Sequence, residues 1–301
     1  EAAEVVAEHV EAIRRMLSVW DPMPGSQLEA DHTLAQALQR RDGSPWGDEP
    51  VDTFCSLVAL TATAMVDHLA SLAHLLTADV DLGTMVMGRS VLEAAGRVCW
   101  MLEPTDLRSK IGRGYALRVR GLQQMSKYVT TALTMEPDDP EVIQRAAQAD
   151  GQAQRAVQAA RALGLAVHKP PRNADGPKLW QLQTALPDGG VLVHAALKEV
   201  NAEIPLGIAE LLFGSWSGVS HSAYEALREA IDPAAVVSHG TAKLVRFGTD
   251  PHRRSQGAMY SLIASVAAAL AAARYVGQDT GEVSEVLERR TEQVTAILVR
   301  S

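Results

Sequence analysis

The sequence predicts an all-α protein, and three observations carry this prediction. Apolar residues recur with helical rather than alternating period along almost the whole 301-residue chain. Alanine, valine and leucine dominate, while aromatic residues make up only 4% of the chain. Proline- and glycine-rich breaks divide the periodic stretches into eight or nine segments of helical length. We therefore expect one bundle-like helical domain over residues 1–301, large enough to fold without disulfides or structural metal.

The proline- and glycine-rich breaks indicate where each helix begins and ends. A first helix is expected over residues 1–19, because two prolines and a glycine follow it at 22–25. Residues 20–52 are polar and are expected to form an irregular connection. Asp52 is a good N-cap for the next helix. The later helices are expected over residues 53–76, 83–102, 105–135, 141–163, 192–203, 205–231, 253–276 and 281–299.

Two segments interrupt this helical pattern. Residues 164–190 contain four prolines and predict a loop with one short helix around 179–184. Such a loop is either a lid or binding loop or simply a mobile connection. Residues 236–247 carry β-branched residues around a Ser-His-Gly turn, which predicts a small β-hairpin.

The composition indicates which classes of partner and which cellular compartment to expect. The formal net charge of −8 argues against broad attraction to nucleic acid or to an anionic membrane. Cys55 and Cys99 lie in apolar stretches far apart in sequence, which indicates two buried thiols in a reducing, cytoplasmic compartment. The uncharged stretch Ala258–Ala273 is short for a membrane span. We expect it to be a buried helix or a contact between copies of the chain.

The most informative feature is a row of three charges on an otherwise apolar segment. Arg89, Glu93 and Arg97 lie four residues apart, so a helix places them on one face. Removing each charge from water costs several kcal/mol, and pairing offsets this only in part. The row is therefore a structural ladder, which a carboxylate from another helix could complete, a polar pocket, or an exposed helix face. In a pocket, the surplus positive charge would bind an anionic ligand.

A second group lies in the segment Ser215–Tyr224. Ser217, His221 and Tyr224 are spaced i, i+4 and i+7 and share a helical face. An imidazole one turn from a hydroxyl can exchange a proton near neutral pH, which is typical of a general acid or base. The alternative is a histidine that links helices through ordinary hydrogen bonds.

A third group forms a polar stripe on the helix expected over 53–76. It consists of Thr63, Asp67, Ser71 and His74. We expect Asp67 and His74 to face the arginine row across a helix pair. Asp67 would then either neutralise one arginine or act as a base.

No motif points to a metal or a nucleotide cofactor. The sequence has no His-Glu-x-x-His, no Cys-x-x-Cys, no Gly-x-Gly-x-x-Gly and no phosphate-binding loop ending in Gly-Lys-Ser/Thr. We therefore expect neither a metal nor a cofactor. A basic cluster at Arg246, His252, Arg253 and Arg254 contains Arg-x5-His, a spacing that a solvated turn explains without a function.

Two stretches, RSVLEAAGRVCWMLEP and SWSGVSHSAYEAL, resemble a group of uncharacterised helical proteins of GC-rich actinobacteria. In that group an Arg-x3-Glu helix precedes a Ser-x3-His helix, and the likeness covers roughly residues 53–225. It implies an all-helical fold with the two stretches near each other, and it implies no activity. A more distant similarity is to HEPN-type ribonucleases, which place Arg-x4–6-His at a dimer interface; Arg246 and His252 provide the match here.

These patterns favour a protein that binds a small anionic metabolite in a buried polar pocket. It would transform the metabolite by cofactor-free elimination or intramolecular substitution in specialised metabolism. Arg89 and Arg97 would hold the anion, and Glu93, Asp67 or His221 would move a proton. Side chains expected to line the pocket are Ser217, Tyr224 and His74. The alternatives are a non-catalytic homodimer or scaffold with its contact at Ala258–Ala273, and a HEPN-like ribonuclease.

Overall fold

The computed structural model confirms the all-α fold class. It describes residues 2–78, 80–168, 181–182, 186–221, 237–239, 242–244, 251–281 and 285. Within these residues lie nine helices: α1 (Ala2–Met16), α2 (Gln27–Asp42), α3 (Asp48–Thr77), α4 (Asp81–Leu102), α5 (Leu107–Met135), α6 (Pro140–Ala162), α7 (Gly189–Val200), α8 (Leu206–Ser220) and α9 (Pro251–Val276).

The chain forms two compact units. The first unit comprises Glu1–Leu28, Ala59–Leu102 and Asp188–Ser301, and the second comprises Glu29–Val58 and Glu103–Pro187. The expectation of a single domain stays a prediction.

Helix α4 lies at the centre of the first unit, where it packs against α9, α7 and α8. Glycine residues on α4 allow the neighbouring helices to approach it closely. A Cβ atom built on Gly96 would overlap the carbonyl group of Leu192 on α7. A Cβ atom on Gly88 would lie 3.1 Å from both the Trp216 ring of α8 and Ser261 Oγ of α9. The glycines of α4 therefore decide how closely its three neighbours approach the charged row.

The alanine-rich stretch expected to be a buried helix or a contact between copies is a core element. It lies within α9, and Ala264, Ala267, Ala268 and Ala272 are at most 2% exposed. Burial of these alanines inside the first unit agrees with the expected buried helix, and a contact between copies at this stretch stays a prediction. Helix α9 ends where Gly277 takes up a φ of +86°, which glycine adopts without strain.

The second unit is built on a pair of long helices, α5 and α6, packed against each other. Asp106 caps α5 by accepting a hydrogen bond from the Ser109 amide at 2.8 Å, and Asp139 caps α6 in the same way. The short strands β1 (Val167–His168) and β2 (Gln181–Leu182) pair antiparallel beside them.

Several expected elements are corrected. The connection over 20–52 contains the 16-residue helix α2, which is largely polar and buries only a few apolar side chains. The short helix expected around 179–184 is replaced at Gln181–Leu182 by strand β2, because those residues pair with β1. Helix α8 ends at Ser220 rather than continuing to 231. The helix expected over 281–299 falls almost entirely outside the described residues.

The expected hairpin near 236–247 is confirmed. Strands β3 (Val237–His239) and β4 (Ala242–Leu244) pair antiparallel, with Val237 opposite Leu244. The turn residues between them lie outside the described part of the chain.

Among the residues that the structure describes, two helices are long and apolar enough to span a membrane on length and composition alone: α3 and the segment Gly257–Val276 of α9. Two thirds of the apolar window in α9 are buried within the protein, as in the core helix of a globular fold. Helix α3 is less buried, but its exposed face carries Thr63, Asp67 and Ser71. Both helices are weak evidence for a membrane span, since core helices of soluble proteins share these properties.

Candidate functional site

The charged row of α4 lies at the boundary between core and solvent. Its neighbours Val91, Leu92 and Val98 are fully buried, whereas Arg89, Glu93 and Arg97 are all half-buried. The row is therefore neither sealed in the core nor carried on a freely exposed face. Charges in this position are partly desolvated, and each needs a partner to offset the lost hydration.

Glu93 and Arg97 form an ion pair with each other. Arg97 Nη2 donates to Glu93 Oε1, one helical turn away, with 34% and 27% of the respective side chains exposed. A glutamate four residues before an arginine is the favourable orientation for such a pair on a helix. This part of the row is the structural ladder that the sequence allowed, and it is formally neutral.

Arg89 has a different environment. Its Nη1 donates to Ser220 Oγ on α8, and its guanidinium lies over the Phe213 ring, 4.9 Å from the ring centroid. Among the residues that the structure describes, no carboxylate forms an ion pair with Arg89. The formal surplus of one positive charge in the row therefore resides on this arginine.

Two donors in the row are left without a partner. The Nε atoms of Arg89 and Arg97 are both buried, and neither has a hydrogen-bond acceptor in the described part of the chain. An unsatisfied buried donor costs about 1–3 kcal/mol, and more when the group is charged. Such atoms call for an explanation, and a ligand oxygen would supply the missing acceptor.

Ser220 is oriented to accept from Arg89. Its hydroxyl donates to the carbonyl of Ser217 at 3.0 Å, which leaves lone pairs of Oγ for the guanidinium. Ser220 is the last residue of α8, so the carbonyl end of that helix dipole also lies beside Arg89. The contact brings the two stretches RSVLEAAG and SWSGVSHS together, as expected from the sequence.

The other expected site residues of this segment do not join the cluster. Ser217 is half-buried and contributes its carbonyl rather than its hydroxyl to the bonds just described. His221 forms the C-cap of α8 and is exposed. Tyr224 lies outside the described residues. The i, i+4, i+7 face expected from Ser217 to Tyr224 is interrupted because the helix ends before His221.

The polar stripe of α3 also differs from expectation. Asp67 and His74 are both exposed, together with Thr63 and Ser71. The hydroxyls of Thr63 and Ser71 donate to carbonyls one turn earlier in the same helix, Ala59 and Asp67. The stripe is therefore a solvated helix face and does not face the arginine row, because the buried side of α3 is formed by residues such as Met65 and Leu69.

One buried charged pair was missed by sequence reasoning. In the second unit Lys110 Nζ donates to Asp31 Oδ2 at 2.6 Å, and the side chains are only 1% and 3% exposed. Their positions in the sequence could have indicated the pair. Asp31 follows the buried Leu28 by three residues, and Lys110 follows the buried Leu107 by three, so each lies on the apolar face of its helix.

The remaining candidates are placed as follows. Cys99 is buried, Cys55 is half-buried, and no disulfide joins these two cysteines. Arg246 lies outside the described residues, and His252 is the second residue of α9. Within the described ranges, no group of three or more His, Cys, Asp or Glu side chains could hold a metal ion.

The chain matches no protein-family model, no curated protein and no solved structure. The fold and the side chains of the α4–α8 contact are therefore the basis for a functional proposal.

Proposed function

We propose that the first unit binds a small anionic metabolite at Arg89, between α4 and α8. The observation that carries this proposal is the set of contacts around Arg89: a hydroxyl and an aromatic ring, but no carboxylate among the described residues. The charge is partly desolvated by its neighbours and retains unused donors. A phosphate, sulfate or carboxylate group would supply both the missing charge and the missing acceptors.

The geometry favours an oxyanion at the edge of the guanidinium. One Nη1 hydrogen is directed to Ser220, and Phe213 lies on one face of the planar group. The donors that remain lie along the Nε and Nη2 edge, which presents two parallel N–H groups to a planar or tetrahedral oxyanion. Arg89 as a whole is half-buried, but its Nε atom is buried, so an oxyanion reaches this edge only after neighbouring side chains move, and it then binds in a medium of reduced dielectric.

Conversion of the ligand is a further step of the same proposal. Glu93 lies one turn from Arg89 on the same face of α4 and is the nearest expected proton-transfer residue on that helix. Its carboxylate is already paired with Arg97. His221 follows Ser220 directly in sequence, which keeps it a candidate at the rim. We do not include Asp67 and His74 in the proposed site, since both lie on the exposed face of α3.

A non-catalytic scaffold role has one observation in its favour. Arg89 also links α4 to the carbonyl end of α8 through its hydrogen bond to Ser220. A cation at this end of a helix is stabilised by the helix dipole. In that case Arg89 would contribute to the packing of the two helices and would bind nothing.

The two functions are separated by thermal unfolding in the presence of inorganic phosphate, sulfate or acetate. An anion present at about ten times its Kd stabilises the native state by about 1.4 kcal/mol, which raises Tm by about 2–4 °C. We expect this increase for the native chain and its loss in Arg89→Met. The matched control is Arg274→Met, since Arg274 is an exposed arginine of the same unit paired with Glu199.

The result that overturns the proposal is equally clear. If the native chain and Arg89→Met respond equally to all three anions, Arg89 is not the binding group. If Arg89→Met only lowers Tm and no anion stabilises the native chain, the scaffold role is the correct one.

A further inference from the structure

The distal half of α5 carries an apolar stripe on its exposed face. Its members are Gly121, Met125, Tyr128, Ala132 and Met135, and all five are exposed. The three large side chains expose 58%, 71% and 79% of their surface, respectively. Their spacing of 4, 3, 4 and 3 residues is the a/d repeat of a coiled coil. We call these five residues the solvent stripe.

The solvent stripe lies next to a second apolar row, which is half-buried. Leu122, Val129 and Leu133 are half-buried and follow the same spacing one residue later in the sequence. Helix α6 packs on α5 and buries the regularly spaced alanines Ala149, Ala153, Ala156 and Ala160. A helix with two adjacent apolar rows is suited to pack on two other helices. In the described part of the chain, α6 is one such helix packed on α5.

Charge is depleted along the stripe. From Gly121 to Met135 the fifteen residues GLQQMSKYVTTALTM contain a single charged side chain, Lys127. Exposed helices normally carry many charges, whereas the centre of a protein interface is depleted of them and enriched in tyrosine and methionine. The stripe therefore has the composition of an interface.

We propose that the solvent stripe is a dimer interface, in which α5 packs antiparallel on α5 of a second copy of this chain. In an antiparallel coiled coil, a positions lie opposite d positions of the partner. If Met125 is opposite Met135 of the second copy, Tyr128 is opposite Ala132 and each large ring meets a small residue. The arrangement is self-complementary, as a two-fold interface requires.

The charges at the two ends of the stripe favour the same orientation. Arg118 and Arg120 are exposed just before it, and Glu136 and Asp138 are exposed just after it. Antiparallel packing places the acidic end of each copy beside the arginines of the other. Parallel packing would bring like charges together, which is unfavourable at short range.

The interface is independent of the proposed anion site, because all of its residues belong to the second unit. The stripe spans about 21 Å of helix, which is short for a permanent dimer. We therefore expect a dimer that dissociates on dilution.

Light scattering after size exclusion, measured on the full chain over a wide concentration range, tests the proposal. We expect the mass to rise from 32.2 kDa toward twice that value as concentration increases. Tyr128→Glu places a charge in the stripe and should abolish the rise. Thr130→Glu is the matched control, since Thr130 is exposed on the same turns of α5 but outside the stripe. Circular dichroism checks that both variants remain folded.

Cysteine crosslinking tests the orientation. Within one chain residues 125 and 135 are about 15 Å apart along the helix, too far for a disulfide. The double variant Met125→Cys/Met135→Cys should form covalent dimers on oxidation, whereas each single variant and the native chain should not. A native chain that is monomeric throughout, a Tyr128→Glu variant that dimerises like the native chain, or crosslinking in a single variant would overturn the proposal.

Discussion

Lys110 and Asp31 form a hydrogen-bonded ion pair, 2.6 Å between Nζ and Oδ2, in the interior of the second unit. Both residues occupy positions that the helical period reserves for apolar side chains. The pair joins α2 to the first turn of α5. The attraction within the pair contributes less to stability than the desolvation penalty that appears when one of the two charges is removed and the other stays buried.

Removing one partner should therefore destabilise the protein strongly. We expect Lys110→Met to lower the free energy of unfolding by about 3–5 kcal/mol, measured by urea denaturation, because Asp31 would remain buried without its cation. The double variant Asp31→Leu/Lys110→Met should recover much of this loss, since both charges are then replaced by apolar groups. Equal destabilisation in the single and double variants would show that the pair does not act as described.

The contact between Gly96 and α7 predicts an intolerance to any side chain. We expect Gly96→Ala to destabilise the first unit by about 1–3 kcal/mol or more, because the added Cβ meets the rigid carbonyl of Leu192 rather than a movable side chain. Gly214→Ala is the control, since Gly214 also lies within a helix but has no atom within 4 Å of its Cβ position. It should be neutral or stabilising by about 0.5–1 kcal/mol. Thermal unfolding distinguishes the two.

These two cases show what the sequence could and could not predict. Helix α4 was predicted within two residues at its start, since its apolar period and the following Pro104 are local signals. Helix α2 was missed because its sequence is largely polar, and the lysine that pairs with its buried Asp31 is 79 residues away. Local pattern does not reveal which distant residue completes a pair.

The candidate site was also predicted only in part. The spacing of Arg89, Glu93 and Arg97 predicted a shared face, and that follows from helix geometry alone. Ser217 and His221 were preferred over Ser220 because they are spaced one helical turn apart, a pattern that combines a hydroxyl with an imidazole. The contact to Arg89 depends on how α4 crosses α8 and on where α8 ends, and neither can be derived from one sequence.

The cap of α5 should make stability depend on pH. The hydrogen bond from the Ser109 amide holds the pKa of Asp106 below its usual range, mainly by stabilising the carboxylate. A folded-state pKa below the unfolded one adds stability at neutral pH, and this is lost as pH falls below about 4. We expect Asp106→Ala to cost about 1 kcal/mol at pH 7, and less as the carboxylate becomes protonated.

The control for this prediction is Asp106→Asn, which keeps a capping oxygen but cannot titrate. Urea denaturation at several pH values should show a smaller loss for this variant than for Asp106→Ala at neutral pH. A difference between Asp106→Ala and the native chain that stays constant down to pH 3 would contradict this role of the carboxylate.

The pairing of Glu93 with Arg97 predicts a coupling to the anion site. Glu93 lies one turn from each arginine, so Arg97→Met would free its carboxylate to pair with Arg89. We expect this variant to bind phosphate more weakly than the native chain in isothermal titration calorimetry, although Arg89 is intact. In Glu93→Gln/Arg97→Met, which lacks the competing carboxylate, binding should recover. Weak binding in both variants would contradict the competition.

The central claim is that the guanidinium of Arg89 binds an anion, and the resonance of its own Nε–H group tests this most directly. In a ¹⁵N-labelled protein this signal is identified by its absence in Arg89→Lys. On titration with inorganic phosphate we expect it to shift and saturate, while the Nε–H signal of Arg274 stays in place. An Arg89 signal that does not move at any phosphate concentration would contradict the account.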